Sequence, residues 1–283
     1  MPLLPTVPFG NIGITRLIIG GNPFRGNSHL SPQLSREMQQ YFTVERIKRT
    51  LFECEHHGIN TVQARGDVLV QACIREFRAE GGRMHFIAQT ASELRDLRGH
   101  VTQLAGFGVD GIYVHGTFTD RHFLEGNLRE VEDLLKTIRD AGVRTGLGTH
   151  IPEVVDHAEE KDWDIDFYMT CLFNLSRRPR ESALVSGNFA VTEEHFDPED
   201  KFAMFERIRA TRKTCLAFKV LGAGRLCGSP EQVRDTFAQV FAQIKPVDAV
   251  VVGMFPKHRD QVAENAQFVR EILAGHAVQT PAS

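Results

Sequence analysis

The sequence predicts an α/β protein, a (β/α)8 TIM barrel forming a single domain over residues 1–283, with long loops after strands 1 and 6. Three observations carry that prediction. Eight short apolar runs punctuate the chain, amphipathic helical patterns separate them, and no linker or low-complexity tract divides it. The length of 283 residues suits one barrel of this kind, which commonly takes about 250.

The runs are RLIIGGN (16–22), NTVQAR (60–65), MHFIAQT (84–90), GIYVHG (111–116), RTGLGTH (144–150), DFYMTCLF (166–173), CLAFKVLGA (215–223) and AVVVGMF (249–255). Each is apolar on both faces, as a strand buried on both sides of a parallel sheet must be. Between them, NLREVEDLLKTIRDAG places Leu128, Val131, Leu134, Leu135 and Ile138 on one stripe and stops at Gly142. The last pattern, KHRDQVAENAQFVREILAG, repeats this with Val262, Phe268, Val269, Ile272 and Leu273. Ser229-Pro230 opens a further helix with an N-cap and a proline at the first position. A doubly wound open sheet is the competing architecture, but it usually shows GxGxxG after its first strand, and this chain has GGNPFRG there.

Composition narrows the function classes. Hydrophobic residues make up 42% and charged residues 24%, with a formal net charge of −3 and no basic block, so nucleic-acid binding has no electrostatic footprint. The five cysteines, at 54, 73, 171, 215 and 227, form no CxxC, which argues against a disulfide framework or a structural zinc cluster. No segment approaches the roughly 20 apolar residues of a membrane helix, and the start, MPLLPTVPFG, lacks a basic n-region. The expectation is a cytoplasmic protein with reduced thiols, acting on a small molecule, with neither nucleic acid nor membrane as partner. Its oligomeric state is left open.

Two connections, residues 23–44 and 174–197, are long for strand-to-helix loops and leave the face where barrel active sites sit. They carry Arg25, His29, Arg177, Arg178 and Arg180, and at least one is expected to act as a lid. The strand ends supply Asn22, then Gln63, Arg65 and Asp67, then Gln89 and Thr90, then His115. Thr149 and His150 follow, then Thr170, Cys171 and Asn174, Lys219 with Arg225, and Met254.

His115 and His150 end consecutive strands, so their rings are expected to meet across about 4.8 Å of inter-strand spacing. Imidazoles titrate near neutrality and serve as acid, base or metal ligand. Two histidines make an incomplete site for a divalent metal, which needs about three protein ligands. Asp67, Cys171 or His29 could complete it, and no spacing rule selects one. Lys219, in AFKVLGAGR, reads as a lysine in an apolar strand. It can pair with a carboxylate such as Asp67, bind an anion, or form a Schiff base. The glycines and Arg225 after it suit an anionic group.

The same stretches resemble the aldo/keto reductase superfamily over roughly residues 8–272. PFGNIGITRLIIGG resembles its N-terminal hairpin and first strand, GINTVQARGD its "GINFFDTADVYG", and DGIYVHG the strand ending in its catalytic histidine. FNLSRR resembles "YNLLNR", AFKVLGAGRL resembles "AYSPLAGGLL", and VDAVVVGMFPKHRDQVAEN resembles its last cofactor-binding segment. The resemblance implies a TIM barrel and NADP-dependent carbonyl reduction by an Asp, a Tyr, a Lys and a His. Only His115 is kept. Gln63 stands at the Asp, Val68 or Leu69 at the Tyr, and Thr90 or Gln89 at the Lys. The nicotinamide contacts become Thr149-His150 and about Thr170, with Phe218 as the stacking aromatic and Lys219 for a serine. Lys257, His258 or Arg259 would hold the cofactor phosphate.

The resulting expectation is an isomerase, epimerase or lyase moving a proton next to a carbonyl on a sugar-like or polyol substrate. His115, His150, Lys219 and Asp67 are its candidate catalytic groups, with His115 and His150 as candidate ligands of a divalent metal. Asn22, Gln63, Arg65, Gln89, Asn174 and Arg225 are the candidate substrate contacts. A divergent NADP-dependent reductase and a non-catalytic binding barrel are the alternatives.

Overall fold

A computed structural model of the protein describes residues 1–177 and 194–278, with side chains to residue 275. The chain opens with an antiparallel hairpin, β1 (Thr6–Phe9) and β2 (Ile12–Thr15). Eight parallel strands follow: β3 (Leu17–Gly20), β4 (Thr61–Arg65), β5 (His85–Gln89), β6 (Gly111–Val114), β7 (Arg144–Thr149), β8 (Phe167–Cys171), β9 (Thr214–Phe218) and β10 (Ala249–Gly253). Each pairs with the next, and β10 pairs with β3 to close the barrel. The fold is the (β/α)8 barrel that the alternating runs predict.

Ten helices lie among the described residues: α1 (Pro32–Tyr41), α2 (Val44–His56), α3 (Val68–Ala79), α4 (Leu97–Phe107), α5 (Gly116–Leu124), α6 (Arg129–Asp140), α7 (Pro152–Glu160), α8 (Asp200–Ala210), α9 (Pro230–Gln243) and α10 (Gln261–Val278). Side-chain caps fix several starts, including Asp67 on α3, Asp96 on α4 and Ser229 on α9. The α6 stripe buries Val131, Leu134, Leu135 and Ile138 against the sheet, and Gly142 ends that segment at φ +73°.

Strand alternation divides the apolar side chains into two cores. Val62, Ala64, Ala88, Ile112, Val114 and Leu147 face the helices. Ile18, Ile87, Tyr113, Phe167, Met169, Leu216 and Val251 fill the barrel interior, where Val7, Phe9 and Ile14 of the hairpin join them. Phe9 meets Phe167 edge-on at 5.0 Å. Gly146 is small because Phe167 occupies its side-chain space: a Cβ there would lie 2.3 Å from the ring. The hairpin thus plugs the N-terminal end.

The structure revises the sequence reading at two connections. Residues 23–44 hold a 3-10 turn at Pro23–Arg25 and the helix α1, capped by Ser31 and opened by Pro32, rather than one long loop. The run read as a strand over 215–223 ends at Phe218. Of the connection 174–197, residues 178–193 lie outside the described residues, and Arg178 and Arg180 with them. No helix among the described residues is long and apolar enough to cross a membrane.

Candidate active site

Tyr113 and His115 are two residues apart at the end of β6, so both lean toward the barrel axis. The Tyr113 ring packs in the interior core, edge-on to Phe167 at 6.5 Å. Its hydroxyl oxygen accepts N–H groups from two carboxamides, Gln63 Nε2 at 2.7 Å and Gln89 Nε2 at 3.0 Å. These come from β4 and β5, so three consecutive strands converge on one phenolic oxygen. Burial raises the Tyr113 pKa well beyond the ordinary phenol range, so the group is a neutral hydrogen-bond donor.

His115 caps α5, its own N–H donating to Thr90 Oγ1 at 3.1 Å, while Nδ1 is hydrogen-bonded to the Ser92 hydroxyl at 2.9 Å. One turn further along α5, Asp120 is 1% exposed and accepts from several donors. The hydroxyls of Thr149 and Ser176 each donate at 2.6 Å, and the backbone N–H of His150 at 3.2 Å. Nδ1 of His150 completes the set at 2.6 Å from Asp120 Oδ2. A carboxylate can only accept, so Nδ1 carries the proton and Nε2 is the basic nitrogen of His150. The ring stands edge-on to Phe218 at 5.4 Å. Gly116 makes room for it, since a Cβ there would lie 3.2 Å from His150 Cε1.

Lys219 follows β9 with φ +58°, a left-handed conformation that breaks strand alternation. Lys219 therefore does not continue the strand as AFKVLGAGR suggests, and the side chains of both Phe218 and Lys219 line the site. Lys219 Nζ lies 5.8 Å from the centre of the Phe196 ring, and the Arg225 guanidinium stacks on the same ring at 3.7 Å. Arg225 also donates to the carbonyls of His29 and Gly222 at 3.0 and 3.2 Å. His29, at φ +55°, pairs through Nδ1 with Glu194 at 2.8 Å.

A small pocket of about 40 Å³ is bounded by Asn22, Gln89, Tyr113, His115, His150 and Lys219. It adjoins a groove of about 390 Å³ through shared walls at Asn22, His29, Phe218 and Lys219. Gln63 lines the groove, which runs on past Leu34, Leu221 and Phe255 to Arg259 and Asn265. Of the sequence-predicted site residues, His115, His150, Lys219, Asn22, Gln63 and Gln89 therefore come together.

The others do not line either space. Asp67 caps α3 through Val70 N–H at 3.0 Å and pairs with Arg25 at 3.2 Å and Arg65 at 3.4 Å. Arg65 also pairs with Glu93, so the role of carboxylate partner to Lys219 suggested for Asp67 is replaced by this rim cluster. Asn174 shapes its own turn, accepting from Ser176 N–H at 3.1 Å and donating its backbone N–H to Asp200 at 2.9 Å. Sequence reasoning missed Tyr113 and Asp120. The two-residue strand period from His115 points to the first, and nothing local marks the second.

Among the described residues the candidate metal set gains no third ligand. Among the described residues no three His, Cys, Asp or Glu side chains come together as a metal site, and Cys171 belongs to the helix-facing core. The cofactor implied by the resemblance meets an unsuitable donor set at the far end of the groove. Lys257 and His258 are bonded to Glu37 at 2.7 and 2.6 Å, and Arg259 to Glu264 at 2.7 Å. Each basic group already faces a carboxylate, and Glu264 itself lines the groove, so a phosphate does not fit there as built.

No protein-family model matches the chain, and no curated protein matches it significantly. Solved structures do. The glycerol dehydrogenase AKR11B4 from Gluconobacter oxydans superposes with a TM-score of 0.54 at 12% identity, over 98% of this chain and 97% of the other. A truncated 3-deoxy-D-arabino-heptulosonate 7-phosphate synthase from Thermotoga maritima gives 0.57 at 13%, over 98% and 93%. The N-acetylmannosamine-6-phosphate 2-epimerase from Clostridium perfringens gives 0.51 at 14%, over 91% and 92%. The shared feature is the barrel. At these identities the likeness is one of fold, and function must be argued from the site.

Proposed function

We propose that the protein is an acid–base enzyme that moves a proton next to a carbonyl on a small polyhydroxylated substrate, as an isomerase, epimerase or lyase does. The observation that carries this reading is the buried Asp120–His150 pair at 2.6 Å, set at the wall of a polar pocket at the C-terminal end of the strands. Asp120 fixes the tautomer and steadies the imidazolium that forms, so Nε2 of His150 acts as the general base. Lys219 supplies positive charge beside the pocket, where it offsets the charge developing on the substrate. Asn22 and Gln89 offer amides to its hydroxyls.

Fold likeness does not choose the chemistry, since barrels of this shape include both a 2-epimerase and a glycerol dehydrogenase. The groove is the feature that favours a reductase, and its carboxylate-neutralised end weighs against that. The test is incubation of α-hydroxycarbonyl compounds, beginning with dihydroxyacetone, in D2O with NMR detection of carbon-bound deuterium. Exchange that is catalysed by the wild type and lost in His150→Gln supports the proposal. Exchange at the same rate in both proteins, or none above background across the series, rejects it.

A further inference from the structure

A phenolic oxygen has one hydrogen to give and two lone pairs with which to accept. Both lone-pair directions of Tyr113 are engaged, by Gln63 and by Gln89. Neither contact uses the hydroxyl hydrogen. Packing alone would be served by phenylalanine, and two glutamines from separate strands would then have nothing to donate to at the barrel centre. Tyr113 is 3% exposed, yet it forms part of the wall of the small pocket alongside His115 and His150.

The protein's other two tyrosines are used differently. Tyr168 donates to Glu159 at 2.6 Å, and Tyr41 lies under the Arg46 guanidinium on the outer helices.

We infer that Tyr113 is a catalytic residue whose hydroxyl donates to the substrate's carbonyl oxygen, so that Tyr113 and His150 together select an α-hydroxycarbonyl compound. The inference rests on the proton-transfer reading of the site. His150 Nε2 takes the proton from the carbon beside the carbonyl. The C–H pair becomes the new C=C bond, the carbonyl π pair moves to oxygen, and the oxyanion is held by the Tyr113 O–H. The phenol keeps its proton throughout, as its burial favours. His150, now an imidazolium, returns the proton to the carbon it came from, or to the neighbouring carbon while the hydroxyl proton passes from one enediolate oxygen to the other, so that a neutral α-hydroxycarbonyl compound is formed either way. The amide donors polarise the phenol and make it a stronger donor than it would be alone.

The test uses glycolohydroxamate, a stable mimic of an enediolate, as probe. The chain has three tyrosines, so protein labelled with 3-fluorotyrosine gives three fluorine signals, assigned by single Tyr→Phe substitutions. On titration the Tyr113 signal is expected to move and those of Tyr41 and Tyr168 to stay. In Tyr113→Phe, calorimetric affinity for the probe is expected to fall about ten- to a hundredfold, the range for a hydrogen bond to a charged group. The labelled wild type reads the contact even if Tyr113→Phe folds poorly. Binding with no movement of the Tyr113 signal overturns the Tyr113 assignment. It leaves the base in place if dihydroxyacetone exchange still depends on His150. Failure of the wild type both to bind the probe and to exchange dihydroxyacetone overturns both readings.

Discussion

Asp120 Oδ2 and His150 Nδ1 lie 2.6 Å apart, and the backbone N–H of His150 donates to the same carboxylate at 3.2 Å. One acidic group thus holds both the ring and the chain of its partner. Asp120→Asn keeps the shape, but its amide cannot accept as the carboxylate does. Activity is expected to fall about 10²–10⁴-fold, the usual worth of a general base. Asp120→Ala also leaves the His150 ring and the Ser176 hydroxyl without this shared acceptor and should cost about 3–5 kcal/mol of stability. Kinetics and denaturant unfolding of the two variants separate these effects; an Asn variant with full activity would remove the pair from the chemistry.

Acid should loosen the His115 side of the site. His100 Nε2 accepts the Ala91 N–H at 3.1 Å, beside Ser92, whose hydroxyl meets His115. Burial, and secondarily the Arg65 charge, hold the His100 pKa below its ordinary 6.5, with Asp67 opposing. Below pH 6.5 the unfolded chain therefore takes up a proton that the folded chain refuses. Stability is present above that pH and declines as pH falls toward the folded-state pKa. Melting temperatures measured downward from pH 7 should drop in the wild type, and less steeply in His100→Gln, which can still accept from Ala91. Parallel curves would exclude His100 as the cause.

Gly148 is a steric guard on Tyr113. A Cβ at this position would lie 2.8 Å from the Val114 carbonyl oxygen and 3.1 Å from Tyr113 Cδ2. The backbone contact cannot give way cheaply, so Gly148→Ala should cost about 1–3 kcal/mol, as overpacking does. It should also displace the fluorine signal of labelled Tyr113. A variant that melts like the wild type with that signal unmoved would contradict the packing described.

Backbone and charge can be separated at Lys219. Its left-handed conformation, φ +58°, costs a side-chain-bearing residue about 1–2 kcal/mol. Lys219→Gly removes that strain and the charge together, and Lys219→Met removes the charge alone. Both variants should lose turnover, and the glycine variant should be the more stable by roughly 1 kcal/mol. Turnover that survives in either takes Lys219 out of the site.

NADPH should bind weakly. The groove's basic end is neutralised by Glu37 and Glu264, which a cofactor phosphate would have to displace. A fluorescence titration is expected to show no saturation in the low-micromolar range. Tight binding with steady aldehyde reduction would favour a reductase.

The strands were legible because burial on both faces leaves a plain mark, as in AVVVGMF at β10. Ser31-Pro32 carries the same capping signal as Ser229-Pro230 and starts α1 inside a connection whose length alone suggests a loop. Half of the site was readable as polar residues at strand ends. Asp120 was not, because GTFTDRHF shows no pattern until α5 packs against β7 and brings the carboxylate under His150. Tyr113 lies on β6, away from Val68 and Leu69 where the resembling family keeps its tyrosine, so the resemblance does not mark it. Nothing in AFKVLGAGR shows that Lys219 leaves the strand conformation.

The hairpin plug has a consequence for traffic. Val7, Phe9 and Ile14 stop the barrel at one end, so the pocket is a blind vessel with its opening at the other. Among the described residues, the pocket around His150 meets the groove at Asn22 and Lys219. On the proposed reading, departing product and arriving substrate share that path, and turnover at high substrate is expected to follow how quickly it clears.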